Sequence, residues 1–255
     1  MQSHSLSGGA VDRLNGYYGW KACIAFVVAI AVAMIAFRAF PSVERALAGA
    51  FLRDMDCGAW SSFNPDAPRC GVFHYWYNPF LVWTHKILNA LPPVLFVITL
   101  IVLGLRWRGE VAGRFARIAT PLIGVVSFLL GPVLIVNGIL KSFWGRPRPF
   151  STIDLGRFND YVLPGTISDQ CARNCSFVSG DVAAAFWLFW LVPLVPARYR
   201  EPFIALLALN GCLMIIFRMA AGRHYLSDTV IAALLSLLIV LATANWVRHL
   251  ARTRH

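Results

Sequence analysis

The chain has 255 residues, 58% of them hydrophobic and 14% charged. Soluble domains carry about a quarter charged residues and just under half apolar ones, so this composition argues against a water-soluble globule and for apolar surface facing lipid. The formal charge of +11 comes from 23 basic and 12 acidic residues; in a membrane protein that excess belongs on cytoplasmic loops, and it does not imply nucleic acid.

Apolar runs reach from the N-terminal third to the end, so residues 1–255 are expected to form one integral-membrane domain. The leader, residues 1–16, is polar and glycine-containing and is expected to be mobile and cytoplasmic. A helix needs about 20 mostly apolar residues to cross the hydrocarbon core. Six stretches meet or approach that length: Trp20 to Phe40, Ile87 to Leu105, Ile118 to Leu140, Val182 to Ala197, Phe203 to Ala221 and Thr229 to Val247. The fold class predicted is therefore all-α, a bundle of six transmembrane helices. Pro121, Pro132, Pro193 and Pro196 fall within or at the ends of these runs, which membrane helices tolerate when neighbours satisfy the freed carbonyls.

Arg106, Arg108, Arg114 and Arg117 crowd one short connection, Arg198 and Arg200 another, and Arg248, Arg252 and Arg254 the tail. Those surfaces, and both termini, are expected to be cytoplasmic. The outer, periplasmic face then receives residues 39–86, residues 141–181 and the link Gly222 to Ser227. An alternative reads the first segment as a signal peptide cut near Ala46 to Ala50, which leaves the remaining topology unchanged.

In the first outer connection, Val43, Ala46, Leu47, Ala50 and Phe51 form an apolar stripe. Phe73, Tyr75, Trp76 and Tyr77 form an aromatic cluster of the kind found at membrane interfaces. His74 and His85 are read as interfacial residues, with proton donation as the alternative. His4, His249 and His255 lie away from any expected site. Cys57 and Cys70 share this connection and Cys171 and Cys175 share the second, so two local disulfides fit an oxidising compartment. Connectivity stays open, and a four-thiol zinc site is the alternative, though no Cys-x2-Cys pair is present. Cys23 and Cys212, inside apolar segments, are read as buried small hydrophobes.

Three polar groups fall on the outer face. Lys141, Arg146 and Arg148 end the third segment, where few cations are expected; a snorkelling collar is the alternative. Ser179, Gly180 and Asp181 open the fourth, where unpaired amides and the helix dipole suit an anion; ordinary capping is the alternative. Arg218 ends the fifth, and His224 and Asp228 begin the sixth, four apart and on one helix face. A carboxylate bonded to one ring nitrogen leaves the other free to attack and stabilises the imidazolium that develops. A pair that merely caps the helix is the alternative, and two ligands are too few for catalytic zinc. Together, Lys141, Arg148 and Arg218 could surround a phosphate, the Ser179 and Gly180 amides could cradle its oxygens, and His224 could attack phosphorus. No metal or other cofactor is needed if three cations serve.

Lys-x6-Arg-Pro at Lys141 to Pro149, Ser-Gly at Ser179 and Gly180, and Arg-x5-His-x3-Asp at Arg218 to Asp228 together resemble the type 2 phosphatidic acid phosphatase superfamily. Its signature differs at three positions: Val178 stands where the family has proline, Asp181 where it has histidine and Phe217 where it has serine. The resemblance implies a helical membrane phosphatase with a phosphohistidine intermediate on His224, oriented by Asp228. It implies phosphate binding by Lys141, Arg148, Ser179, Gly180 and Arg218. The family histidine replaced by Asp181 protonates the leaving oxygen, whereas an ordinary aspartate, with a pKa of about 3.9, is ionised near neutrality. Three outcomes stand: Asp181 acts as the acid with a raised pKa, the leaving group needs little protonation, or turnover is lost.

Cys175 to Gly180 further resembles the Cys-Ser-Phe-Val-Ser-Gly stretch of bacterial lipid A phosphatases in this superfamily. That implies removal of a 1- or 4'-phosphate from lipid A in the outer leaflet of a bacterial inner membrane, with a phosphorylated membrane lipid and the bilayer as partners. Alternatives from the same resemblance are phosphatases of undecaprenyl diphosphate, phosphatidylglycerophosphate or phosphatidic acid, and a lipid phosphotransferase. A noncatalytic phospholipid binder or transporter is the alternative of a different class. Oligomeric state is not legible.

Overall fold

The computed structural model describes residues 19–54, 71–108, 114–152 and 158–253. The leader and the Cys57 and Cys70 pair lie outside them. Helix α1 (Trp20–Ala39) is apolar on every side and buries only Cys23, so most of its surface is left for lipid, while one side packs along the last helix. Pro41 then opens α2 (Pro41–Ala50) at its first position, where a missing N–H costs nothing. The inward face of α2 carries Glu44, Ala48 and Gly49, whereas Val43 and Leu47 are exposed. Within the expected apolar stripe, Val43 and Leu47 thus face away from the protein, while Phe51 packs against its core.

Residues 39–86 are more structured than the connection predicted from sequence. After α2, strand β1 (Leu52–Asp54) pairs antiparallel with β2 (Gly71–Phe73). A 3-10 turn, His74–Tyr77, follows. Helix α3 (Pro79–Trp107) begins well before the predicted Ile87. The Asn78 side chain accepts from the Leu81 amide at 3.3 Å and Pro79 fills the first helical position, a cap-and-proline start that apolar periodicity does not register. This early start places His85 inside a helix.

Helix α4 starts as Arg114–Phe128, widens to a π-helix over Leu129–Leu140 and closes as one α-turn, Lys141–Phe143. Pro132 has no N–H for the ladder, and the Asn137 side-chain amide donates to the Pro132 carbonyl at 2.6 Å. Helix α5 runs as Gly180–Trp187 and continues as 3-10 through Leu188–Leu194, rather than the predicted Val182 to Ala197. With 3-10 rise of about 2.0 Å per residue and α rise of about 1.5 Å, it extends about 26 Å, close to a bilayer core. Helices α6 (Ala197–Ala220) and α7 (Leu226–Arg252) complete the bundle. Among the described residues, five helices are long and apolar enough to span a membrane, and Gly180–Leu194 is a shorter sixth. The chain is a membrane protein.

The core is built around α5, which packs on α3, α4, α6 and α7 and buries Val182, Ala183, Ala185 and Trp187. The Trp187 indole donates to the Gly124 carbonyl at 2.9 Å, so its polar edge is satisfied in the apolar interior. Cys212, expected to be buried, is exposed on α6, on a helix that also exposes Leu206, Leu209 and Ile216. Cys171 and Cys175 are disulfide-bonded, one of the two expected pairings. The alternating helices bring the starts of α3, α5 and α7 and the ends of α4 and α6 to one end of the bundle. Arg106, Arg117, Arg198, Arg200 and Arg248 lie at the other. Replacing Asn78 by alanine should cost about 1 kcal/mol through the lost cap, read as a lower unfolding temperature in detergent.

Candidate active site

The turn between α6 and α7 is set by Gly222, at φ +66°. Its amide donates to the Met219 carbonyl at 2.8 Å, and the Phe73 ring lies so close that a Cβ would sit 2.4 Å from it. Only glycine meets both demands, and the turn presents Arg223 and His224. His224 is 1% exposed. Its Nδ1 lies 2.7 Å from the Ser176 carbonyl; a carbonyl only accepts, so Nδ1 carries the hydrogen and Nε2 keeps its lone pair. That Nε2 is buried without a protein partner. Burial pushes the imidazole down to about 4; the Asp228 carboxylate opposes the shift, and the Arg218 and Lys141 charges add to it.

The direct bond expected between Asp228 and the ring is not formed: the carboxylate oxygen is 3.9 Å from Nδ1. Asp228 occupies the third position of α7, where its Oδ2 accepts the Tyr225 amide at 2.9 Å and the Ser176 hydroxyl at 2.5 Å. Its Oδ1 accepts from Arg146 at 2.5 Å. Asp228 thus anchors the residue whose carbonyl orients the imidazole. Arg146 is fully buried and also donates to Glu44 at 2.5 Å, the Ser227 hydroxyl at 2.7 Å and the Val162 carbonyl at 2.8 Å. The Tyr161 hydroxyl donates to Glu44 as well, and Arg146 lies over the Tyr225 ring at 4.5 Å. Glu44, Ser176 and Tyr161 were not legible as site residues. The one available signal was that Glu44 is the sole acid of an otherwise apolar and basic helix.

Lys141 and Arg148 are nearly buried. Arg148 is fixed by two donations to the Asn174 carbonyl, at 3.0 and 2.7 Å, and one to the Asn174 side-chain oxygen at 2.7 Å. Burial, with repulsion from Arg223 and Arg218, pushes the Arg148 guanidinium down to about 10. Lys141, Arg148, Arg218 and Asp181 all act electrostatically on one another, and Lys141 and Arg218 act on His224. The three motifs therefore meet in one cluster, in which cations too close for comfort gain from a dianion.

Ser179 precedes α5 without capping it. Its amide is engaged by the Asp228 carbonyl at 3.2 Å, so it is not the phosphate donor expected. Its hydroxyl is buried and without a protein partner, as is Nε of Arg218, and hydrogen-bond capacity at Ser179 thus rests on Oγ. At Gly180 a Cβ would lie 2.6 Å from the Asn137 side-chain oxygen, so glycine lets the start of α5 sit against α4. Asp181 pairs with Nη1 of Arg218 at 2.9 Å and stands 3.6 Å from Nε2 of His85. His85, read from sequence as interfacial, thus belongs to the cluster, because α3 starts early enough to carry it there. His74 is exposed.

Among the described residues no group of three or more His, Cys, Asp or Glu side chains is arranged to hold a metal ion. The cluster can bind an anionic ester and present an unprotonated nitrogen to it. Arg146→Ala would leave two buried carboxylates without their shared cation, and should destabilise the protein by about 3–5 kcal/mol, measured by chemical unfolding in detergent.

The PAP2 superfamily model matches residues 121–252. A protein named lipid A 4'-phosphatase from Rhizobium etli is 35% identical over 207 residues, covering 81% of this chain and 79% of the relative. A protein of the same name from Rhizobium leguminosarum is also 35% identical over 207 residues, covering 81% of this chain and 88% of that relative. The crystal structure of a transmembrane PAP2-type phosphatidylglycerolphosphate phosphatase from Bacillus subtilis superposes with a TM-score of 0.51 at 16% identity, over 88% of this chain and 94% of that one, a likeness of fold. The family match spans His224, Lys141, Arg148, Arg218 and the helices that carry them, and the chain belongs to the PAP2 superfamily.

Proposed function

We propose that this lipid phosphatase removes the 4'-phosphate of lipid A at the outer leaflet of a bacterial inner membrane, through a phosphohistidine intermediate on His224. The observation that carries the reaction is the His224 Nε2: unprotonated, buried, without a protein partner and within the field of Lys141 and Arg218. The substrate rests on the relatives named lipid A 4'-phosphatase, which align with 81% of the chain.

Lys141, Arg148 and Arg218 neutralise the phosphate dianion, and the Ser179 hydroxyl donates to one of its oxygens. Nε2 attacks phosphorus; the P–N bond forms as the P–O bond to the sugar breaks, and the sugar oxygen leaves with a proton. The imidazole loses no proton in this step, because Nδ1–H stays on the Ser176 carbonyl. Water then attacks the phosphohistidine, releasing phosphate and restoring the neutral ring. The gain lies in positioning and charge neutralisation, the main work of phosphoryl transfer.

Beside Tyr75, a groove of about 560 Å³ is lined by Phe51, Leu52, Leu81, Ile216, Phe217 and Ala220, apolar enough for an acyl chain. The arginines at the far end of the bundle favour a cytoplasmic placement there. The Cys171–Cys175 disulfide near the site favours an oxidising compartment on the opposite side.

Purified protein in detergent should release phosphate from lipid A bearing a 4'-phosphate, and not from lipid A carrying only the 1-phosphate. His224→Ala should abolish release, and acid quenching of a single turnover with labelled lipid should trap label on native protein alone. Label passing to a second lipid instead of water would identify a transferase. The His224 imidazole of the substrate-free protein should titrate near its lowered value of about 4, not near 6.5, read by NMR, since the acid limb of kcat/KM also carries the ionisation of the phosphate itself near about 6. The sign follows from protonation: above 4 the native imidazole is neutral and nucleophilic, and below it the ring is charged. Between 6.5 and 4 the unfolded chain binds the extra proton, so stability should fall as pH falls through that window.

A further inference from the structure

The reaction needs a proton for the departing alcohol, and the residue at the position of the family histidine, Asp181, is an ion-pair partner of Arg218 at 2.9 Å. A carboxylate so held is a poor donor. We propose that His85, on α3, supplies that proton, and that Asp181 is the positioning residue that aims it.

Three contacts define the place of His85. Its Nδ1 is 2.7 Å from the Tyr75 hydroxyl. Its Nε2 is buried with no hydrogen-bond partner and lies 3.6 Å from the Asp181 carboxylate. The Phe217 ring covers it at 5.8 Å between centroids. The charged and titratable groups facing it are thus Tyr75 from the 3-10 turn, Asp181 from α5 and, beyond Asp181, Arg218 from α6. A hydroxyl and a carboxylate both accept, so an imidazolium can direct Nδ1–H to Tyr75 and Nε2–H towards Asp181. Asp181 directly follows the Ser179 and Gly180 pair, so a proton at its carboxylate edge stands where the motif histidine would deliver one.

In the first step the P–O bond breaks, its electron pair stays on the alcohol oxygen, and the proton passes from His85 Nε2 to that oxygen. In the second, neutral His85 takes a proton from the water that attacks phosphorus, which regenerates the imidazolium. No other reactant is required.

This inference rests on the proposed phosphomonoester hydrolysis, and leaving-group chemistry separates the two. Two probes in mixed micelles serve: hexadecyl phosphate, whose alkoxide must be protonated, and a p-nitrophenyl phosphate carrying a palmitoyl amide, whose phenolate leaves unaided. Because the water step is common to both esters, the readout is the rate of alcohol release in a single turnover, which His85→Gln should lower by about 10²–10⁴ for hexadecyl phosphate and by less than tenfold for the aryl ester. Native rates on both esters, or equal losses on both with an unchanged unfolding temperature, would overturn the assignment. The native protein gives a second reading that no folding defect can cloud. In single turnovers of the native protein, release of the alkyl alcohol should show a solvent deuterium isotope effect that release of the phenolate lacks, and an equal effect on both also overturns it. His224→Ala should abolish both activities; release that survives in His224→Ala refutes the phosphohistidine reading while the ratio of the two esters still decides the role of His85.

Discussion

The geometry of the site depends on one buried guanidinium. Arg146 joins Glu44 of α2, Asp228 and Ser227 of α7 and the Val162 carbonyl, so three distant stretches are tied to a single planar fork. A charge with no exposed surface is tolerable only when its donors are met by acceptors, and here two carboxylates and a hydroxyl do so. Asp228, fixed on one side by Arg146, fixes Ser176 on the other, and the Ser176 carbonyl sets the tautomer of His224. The His224 ring is thus oriented at one remove from its acidic neighbour, through backbone.

The same wiring explains why the site can hold many charges near a membrane. The acids are divided: Glu44 and Asp228 neutralise Arg146, while Asp181 meets Arg218. Lys141 and Arg148 are left with a mostly cationic field, and Arg148 is steered by an uncharged asparagine. Four buried polar atoms without hydrogen-bond partners, His85 Nε2, Ser179 Oγ, Arg218 Nε and His224 Nε2, belong to this one cluster. Such atoms are costly inside a protein, and their grouping is what a polar anionic ligand would satisfy.

The helices serve this end of the bundle at the expense of regularity. The π segment of α4 and the 3-10 half of α5 depart from α geometry where Pro132 and Pro193 remove donors, and the departures lie in the two helices that deliver Lys141 and Ser179. Irregular backbone at membrane depth is accommodated where protein covers it, and along α5 only Leu194 is exposed.

Composition and hydrophobic run length sufficed for an all-helical membrane bundle, because lipid imposes its length and polarity on a chain directly. Motif spacing sufficed to single out Lys141, Arg148, Ser179, Gly180, Asp181, Arg218, His224 and Asp228, since each group lies within one local stretch. Long-range partners were beyond it. Glu44 lies 102 positions from Arg146, and nothing in its own helix says which cation it meets. His85 was read as interfacial because its helix start is marked by Asn78 and Pro79, not by apolar periodicity. The ring bond expected for Asp228 from a spacing of four gave way to Arg146, Ser176 and the Tyr225 amide. Residue types and spacing are local properties, whereas the contest among acceptors for a buried donor is settled only when the helices pack.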